Sequence, residues 1–110
     1  MGLNGHPIPE EELNALYKYQ SQIRAELALP GMVARSLWEL GYMSVLDYRS
    51  IIMLQSRAER ASRLVQLLPA LQEPSFYFFV EAMKQYGNAE LASLINSEFA
   101  DDWEAGFIEC

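Results

Sequence analysis

The amino-acid sequence predicts an all-α protein, a bundle of six helices within a single domain. Apolar residues recur three and four positions apart in successive segments, and helix start and end signals separate these segments. No segment shows the convincing alternation of a β-strand. With 110 residues, of which 51% are hydrophobic, the chain is long enough to bury one modest core.

The first predicted helix begins after Pro9 and runs for nearly twenty residues. Residues 10–12 are three glutamates, which the helix dipole favours in a first turn. Gln20 interrupts the apolar stripe, so we expect a bend near the middle of this helix. The stripe consists of Leu13, Leu16, Tyr17, Ile23 and Leu27.

The second predicted helix is short. Pro30 and Gly31 break the chain before it, and Gly41 follows it where a left-handed residue closes a helix. These signals place a helix between two breaks only about ten residues apart. Its expected apolar positions are Val33, Leu37 and Leu40.

Two serine signals predict where the third and fourth helices begin. Ser44 and Ser56 are each followed by an acid three residues later, a spacing that allows reciprocal capping of the helix start. Pro69 should end or kink the fourth helix near Leu68. The expected apolar positions are Leu46, Tyr48, Ile51 and Ile52 in the third helix, and Ala61, Leu64, Val65, Leu68 and Leu71 in the fourth.

The fifth helix is predicted from periodicity, against residue type. Residues 75–83, SFYFFVEAM, contain four consecutive aromatics, a composition that favours a strand. Their apolar spacing instead fits one face of a helix from Pro74 to about Tyr86, which Gly87 then closes. This helix is apolar around more than half its circumference, so we expect it to be central. Its main stripe is Phe76, Phe79, Val80 and Met83.

The last helix and the two ends of the chain complete the predicted organisation. Asn88 is expected to cap the sixth helix, with Leu91, Leu94 and Ile95 on its apolar face. We expect residues 1–8 to be a flexible N-terminus, residues 9–97 the helical bundle, and residues 98–110 an acidic, mobile tail. The tail contains two large aromatic residues, Trp103 and Phe107.

Charge and composition exclude several classes of function. The formal net charge is −7, and the last thirteen residues carry five acids without a base. The remainder still has ten acids against eight bases, which argues against nucleic-acid binding. The sequence has no apolar run of the roughly 20 residues that span a bilayer and no secretory signal, so we expect a cytoplasmic protein without membrane contact.

Residues with catalytic or metal-binding chemistry are sparse. The single histidine, His6, and the single cysteine, Cys110, lie at opposite ends of the chain. We expect them to give neither a disulfide nor a zinc site nor a Cys–His nucleophile pair, and the sequence has no glycine-rich phosphate loop. We therefore predict no catalytic residues, no metal and no cofactor, and we expect that the protein is not an enzyme.

Four segments in this order resemble the caspase recruitment domain (CARD) of the death-fold superfamily. Residues 37–47 fit the family pattern L-x-x-x-G-x-[LM]-[ST]-x-x-[DE], and residues 64–69 fit L-[LV]-x-x-L-P. Residues 75–83 fit [AS]-F-x-x-F-x-x-A-[LM], and residues 87–95 fit G-x-x-x-L-A-x-x-[LI]. The chain departs from the family at residues 71–74, which lack its R-G-P-like turn and leave the shape of this loop open.

The resemblance implies a six-helix antiparallel bundle of the death-fold, Greek-key type. It also implies a homotypic module that recruits or clusters caspases, adaptors or receptors in apoptotic or inflammasome signalling complexes. The expected partners are other CARD-containing proteins or copies of this chain, assembled as a ring, helical stack or filament. By the same resemblance, the basic face consists of Lys18, Arg24, Arg57, Arg60 and Arg63, and the acidic face of Glu26, Glu39 and Asp47.

Other interpretations stay open at this stage. A death domain or a death effector domain would share the bundle and the logic of assembly. A small helix-turn-helix DNA-binding domain, with the arginines of the fourth helix on phosphates, conflicts with the negative charge. The same arginines could also form an ordinary solvated face, and the aromatic stripe of the fifth helix is expected to be core rather than a ligand site.

Overall fold

The chain is all-helical in the computed structural model, which describes residues 7–98. Within that range it contains six α-helices and no strand. This confirms the predicted helix count and order, and a short 3-10 turn, Leu68–Ala70, follows the fourth helix. The helices are α1 (Glu10–Glu26), α2 (Pro30–Glu39), α3 (Val45–Ile52), α4 (Arg57–Leu67), α5 (Ser75–Gln85) and α6 (Ala89–Asn96).

The two serine signals act as N-terminal caps. Ser44 Oγ accepts a hydrogen bond from the Asp47 amide at 3.1 Å. Ser56 Oγ accepts one from the Glu59 amide at 3.0 Å, and Glu59 Oε1 accepts one from the Ser56 amide at 3.4 Å. The start of α4 is therefore a complete capping box, in which two otherwise unpaired donors are satisfied reciprocally.

The predicted helix ends are also confirmed. Gly41 and Gly87 adopt φ angles of 88° and 90°, in the left-handed region where glycine is favoured because it has no Cβ. Helix α4 ends at Leu67, two residues before Pro69. These local signals set the lengths of the helices.

The core lies around α5, which packs against both α2 and α6. All four residues of the predicted α5 stripe are fully buried. Helix α1 covers another side of the core by packing against α4 and α6. The largest fully buried side chains outside α5 are Leu16, Ile23, Leu27, Val33, Leu37, Ile51, Leu64, Leu68 and Ile95.

The predicted side-chain cap at Asn88 is wrong. Asn88 occupies the N-cap position of α6, but its side chain makes no capping hydrogen bond. Instead, Asn88 Oδ1 accepts from the Ala28 amide at 2.7 Å, and Asn88 Nδ2 donates to the Ala28 carbonyl oxygen at 3.0 Å. The buried amide thereby ties the α1–α2 connection to the α5–α6 turn, and it satisfies both backbone polar groups of one linker residue.

The structure describes only part of the predicted chain ends. Pro7 forms an isolated bridge with Gln72, and Ile8 is buried, so these two residues of the predicted flexible segment contact the bundle. Residues 1–6 and 99–110 lie outside the described residues. The predictions made for His6, Trp103, Phe107 and Cys110 fall there.

A candidate interaction surface

Arg57, the first residue of α4, is bonded to the end of α1. Its Nη1 donates to the carbonyl oxygen of Arg24 at 3.2 Å and to that of Leu27 at 3.0 Å. The last carbonyls of a helix have no partner within the helix, so a guanidinium at this position stabilises the helix end. The side chain of Arg57 is thus held in place while its guanidinium lies at the surface.

Arg60, one turn further along α4, does the same for the end of α3. Its Nε donates to the Leu54 carbonyl oxygen at 2.8 Å, and its Nη2 donates to that of Ile52 at 2.9 Å. Arg63 follows with a bond from Nε to Ser50 Oγ at 3.1 Å. All three predicted arginines of α4 therefore make hydrogen bonds within the fold. Residue type alone did not indicate these bonds.

Arg57 and Arg60 line a cleft of about 510 Å³ between the α1–α2 connection, the start of α2 and the end of α3. The backbone of Gly31 approaches Arg60 closely, since a Cβ built on Gly31 would lie 3.5 Å from Arg60 Nη1. Exposed apolar side chains lie beside the two guanidiniums. We call this surface the basic cleft, and its main residues are Leu29, Gly31, Met32, Ile52, Arg57 and Arg60.

The electrostatics of the basic cleft favour an anionic group. None of the described residues that line it is acidic. Helix α2 begins at Pro30 in the cleft without a side-chain cap, so the positive end of its dipole faces this region. Two guanidiniums next to an uncapped helix start suit carboxylates, and the apolar side chains suit a hydrophobic residue between them.

The other three predicted basic residues, Lys18, Arg24 and Arg63, do not line the cleft. Lys18 Nζ lies 3.0 Å from Glu98 Oε2, which also accepts a hydrogen bond from the Tyr19 hydroxyl at 2.9 Å. The bonds from Lys18 and Tyr19 lower the pKa of Glu98. Arg24 contributes its carbonyl oxygen to Arg57, but its buried Nε has no partner among the described residues. The predicted basic face is therefore not one continuous patch.

Of the three predicted acidic residues, Glu39 lies beside a second acid, Glu81, in a depression that could receive a basic surface. This depression, of about 300 Å³, lies where α2 packs on α5, and we call it the acidic depression. Glu39 is paired with Arg35 at 3.1 Å, and Glu81 with Lys84 at 2.9 Å. Both pairs are exposed. The main residues of the depression are Ser36, Glu39, Leu40, Phe78 and Glu81.

The other two predicted acids lie elsewhere. Asp47 lies in the first turn of α3, next in sequence to Tyr48, whose ring stacks on Trp38 at a centroid distance of 4.9 Å. Glu26, on α1, lines a separate depression with Glu90 at the start of α6. The predicted acidic face is thus divided among three places.

Sequence reasoning missed residues in both surfaces. Leu29 and Met32 fell outside the expected apolar stripes, and Ile52 was expected on an apolar face yet is partly exposed. A hydrophobic residue directly before the helix-starting Pro30 was the available signal for Leu29. No sequence signal indicated Glu81, because its position beside Glu39 depends on the packing of α5 against α2.

Other kinds of site find no support within residues 7–98. No group of three or more His, Cys, Asp or Glu side chains is placed there to hold a metal ion. None of the helices in this range is long and apolar enough to cross a membrane. No model of a known protein family matches the sequence, and no curated protein matches it either. Any functional assignment therefore depends on the residues themselves.

Proposed function

We propose that this chain is a homotypic protein–protein interaction module of the CARD type. In this proposal the basic cleft of one domain binds the acidic depression of another domain of the same fold. The supporting observation is that one six-helix bundle carries both surfaces, with Arg57 and Arg60 in the first and Glu39 and Glu81 in the second. The cluster so formed brings caspases, or adaptors and receptors bearing such domains, together in the cytoplasm. The domain itself carries out no catalysis.

The geometry of such a contact is head to tail. The two surfaces share no lining residue, so a domain that uses one of them keeps the other available. A contact between two different surfaces is heterologous, and its repetition produces a ring or an open helical stack. Weak individual contacts suffice in a cluster, because tethering raises the effective concentration of each domain.

The two surfaces are also suited energetically to binding. The backbone bonds of Arg57 and Arg60 order their side chains in advance, so less conformational entropy is lost on association. Among residues 7–98, Glu39 and Glu81 are engaged only in the exposed pairs with Arg35 and Lys84, and pairs of this kind contribute roughly 0 to 1 kcal/mol each. Exchanging them for contacts to a partner domain is correspondingly easy.

Complementary charge reversals test the proposal. Arg57→Glu alters the basic cleft, the double variant Glu39→Arg/Glu81→Arg alters the acidic depression, and Arg49→Glu is the matched control on the exposed side of α3. Charge pairs desolvated at an interface are coupled by about 1.5 to 7 kcal/mol, so either surface variant should weaken self-association at least tenfold. Light scattering and sedimentation across a concentration series measure this, and rising salt should weaken wild-type assembly.

A mixture of the two surface variants separates binding from folding. Each variant keeps one intact surface, so the mixture should form heterodimers. Assemblies larger than a dimer should not form. An unfolded variant could not restore any contact, which matters because Arg57 also stabilises the end of α1. The proposal fails if Arg57→Glu assembles like the wild type, if Arg49→Glu weakens assembly equally, or if the mixture stays monomeric.

A further inference from the structure

Leu29, at the edge of the basic cleft, has an unusual backbone conformation. Its φ angle is 52°, a left-handed value that residues other than glycine rarely adopt, and its side chain is 54% exposed. The preceding residue, Ala28, is held on both backbone groups by Asn88. A strained backbone that leaves a large apolar side chain exposed does not benefit the core, and such strain is frequent at binding sites.

The two arginines of the basic cleft retain donors for a ligand. Both hydrogen bonds of Arg57 come from Nη1, so its Nε and Nη2 are without a partner among residues 7–98. Arg60 uses Nε and Nη2, which leaves Nη1 on the side of Gly31. Guanidinium groups with such remaining donors bind carboxylates strongly.

Residues 99–110 of the same chain have the complementary composition. This segment, FADDWEAGFIEC, contains four acids and no lysine or arginine. Three of the acids, Asp101, Asp102 and Glu104, lie close to Trp103 in sequence. A large apolar side chain flanked by carboxylates matches a cleft in which apolar side chains lie beside guanidiniums.

The segment is also long enough to reach the cleft. Its preceding residue, Glu98, lies beside Lys18 on α1, with Glu98 Oε2 3.0 Å from Lys18 Nζ. From Lys18 to Leu27 the helix rises about 14 Å, and the Leu27 carbonyl oxygen lies 3.0 Å from Arg57 Nη1. Five extended residues from Glu98 to Trp103 span up to about 17 Å. The distance along α1 therefore suits the position of the tryptophan.

We propose that residues 99–110 dock in the basic cleft of their own chain, with Trp103 against Leu29 and Met32 and the neighbouring carboxylates on Arg57 and Arg60. This inference rests on the proposed function and adds a regulation to it. The docked segment competes with the acidic depression of a partner domain for the same guanidiniums. Since the segment is covalently tethered, its effective concentration is on the order of millimolar, and a partner must be clustered to displace it.

A spin label on the segment tests the docking in the full-length chain. Cys110 is the only cysteine in the sequence, so the variant Cys110→Ser/Ala105→Cys places a single nitroxide two residues from Trp103. The expected result is a loss of more than half the amide signal intensity at Gly31, Met32 and Ile52 in nuclear magnetic resonance spectra. The amides of Glu39 and Glu81 in the acidic depression are the internal reference and should lose less.

A release variant serves as the matched comparison. Adding Asp101→Asn, Asp102→Asn and Trp103→Ala to the labelled chain removes two charges and the apolar side chain, so the intensities at the cleft should recover. Broadening that persists in this variant, or that is no stronger at the cleft than at the reference amides, overturns the inference. A mixture of isotope-labelled chains without nitroxide and spin-labelled chains without isotope gives a further check, because broadening in that mixture assigns the cleft to another copy's segment.

The docking measurement can be interpreted whether or not the proposed function holds. The spectra are recorded at a concentration where the chain is monomeric, so they report occupation of the cleft alone. The unlabelled release variant is then examined for assembly by light scattering, and we expect it to assemble at a concentration at least several-fold lower than the wild type. Docking without any assembly at high concentration would contradict the proposed function alone, whereas assembly without docking would contradict this inference alone.

Discussion

Helices α5 and α3 both carry apolar residues at helical spacing, but the fold covers them very differently. Phe76 and Phe79 of α5 are fully buried. In α3, Ile51 is buried, whereas Leu46 is 72% exposed and Ile52 is also partly exposed. The reason lies in the neighbours, since the central helix α5 packs against α2 and α6 while α3 covers the outside of α2 and α4. Apolar periodicity thus predicts a helix face but not how much of it becomes buried.

The largest expected effect tests this difference directly. Phe76→Ala should lower the free energy of unfolding by about 3 to 5 kcal/mol, because it empties the site of a fully buried ring. Leu46→Ala is the matched control in α3, and its effect should stay within about 0.5 kcal/mol, as at other exposed positions. Urea denaturation of both variants measures the two values. Similar losses would show that α3 is as well covered as α5.

Local signals made most of the fold predictable. The capping box of Ser56 and Glu59 and the left-handed Gly41 act over a few residues, so the sequence contains everything needed to identify them. The buried stripe of α5 was equally predictable from its period, in spite of its strand-like composition. What could not be predicted is contact between distant parts of the chain. Asn88 and Ala28 lie 60 residues apart, and no local pattern connects them.

The same distinction between local signals and distant contacts applies to the two candidate surfaces. The sequence indicates which residues are charged, and the resemblance indicated that the arginines of α4 belong to a binding face. Neither the sequence nor the resemblance indicated that Arg57 and Arg60 bond to carbonyls at the ends of α1 and α3. Neither indicated that Glu81 lies beside Glu39. These facts depend on how the helices meet, and they determine which charge reversals disturb the fold as well as the surface.

The next effect compares two asparagines. Asn88→Ala should lower the free energy of unfolding by about 2 kcal/mol, because it leaves the amide and the carbonyl of Ala28 without their side-chain partners. Asn14→Ala is the control on the exposed side of α1, where removal of the amide should be nearly neutral. Thermal melts of both proteins supply the comparison. An unchanged melt for Asn88→Ala would mean that the Ala28 bonds contribute little to stability.

The smallest expected effect concerns the three consecutive glutamates in the first turn of α1, Glu10, Glu11 and Glu12. Glu10 is exposed, whereas Glu12 is partly buried and its Oε1 has no hydrogen-bond partner among the described residues. Burial, together with the charges of Glu73 and Glu11, raises the pKa of Glu12 from 4.5 to about 7. In the unfolded chain the carboxyl loses its proton near the lower value. This group should therefore make the fold progressively less stable as the pH rises from about 4.5 to about 7.

Glu12→Gln removes this titration. A fully buried group with such a shift would contribute more, but Glu12 is partly solvated, so we expect a gain of only about 1 kcal/mol in the free energy of unfolding at about pH 8. Near pH 4 the gain should vanish, because wild-type Glu12 is then protonated in the folded chain. Glu10→Gln is the matched substitution in the same turn, at an exposed position, and urea denaturation of both variants is measured at both pH values. A gain of equal size at both pH values would attribute the effect of Glu12→Gln to packing or helix propensity instead of to the buried charge.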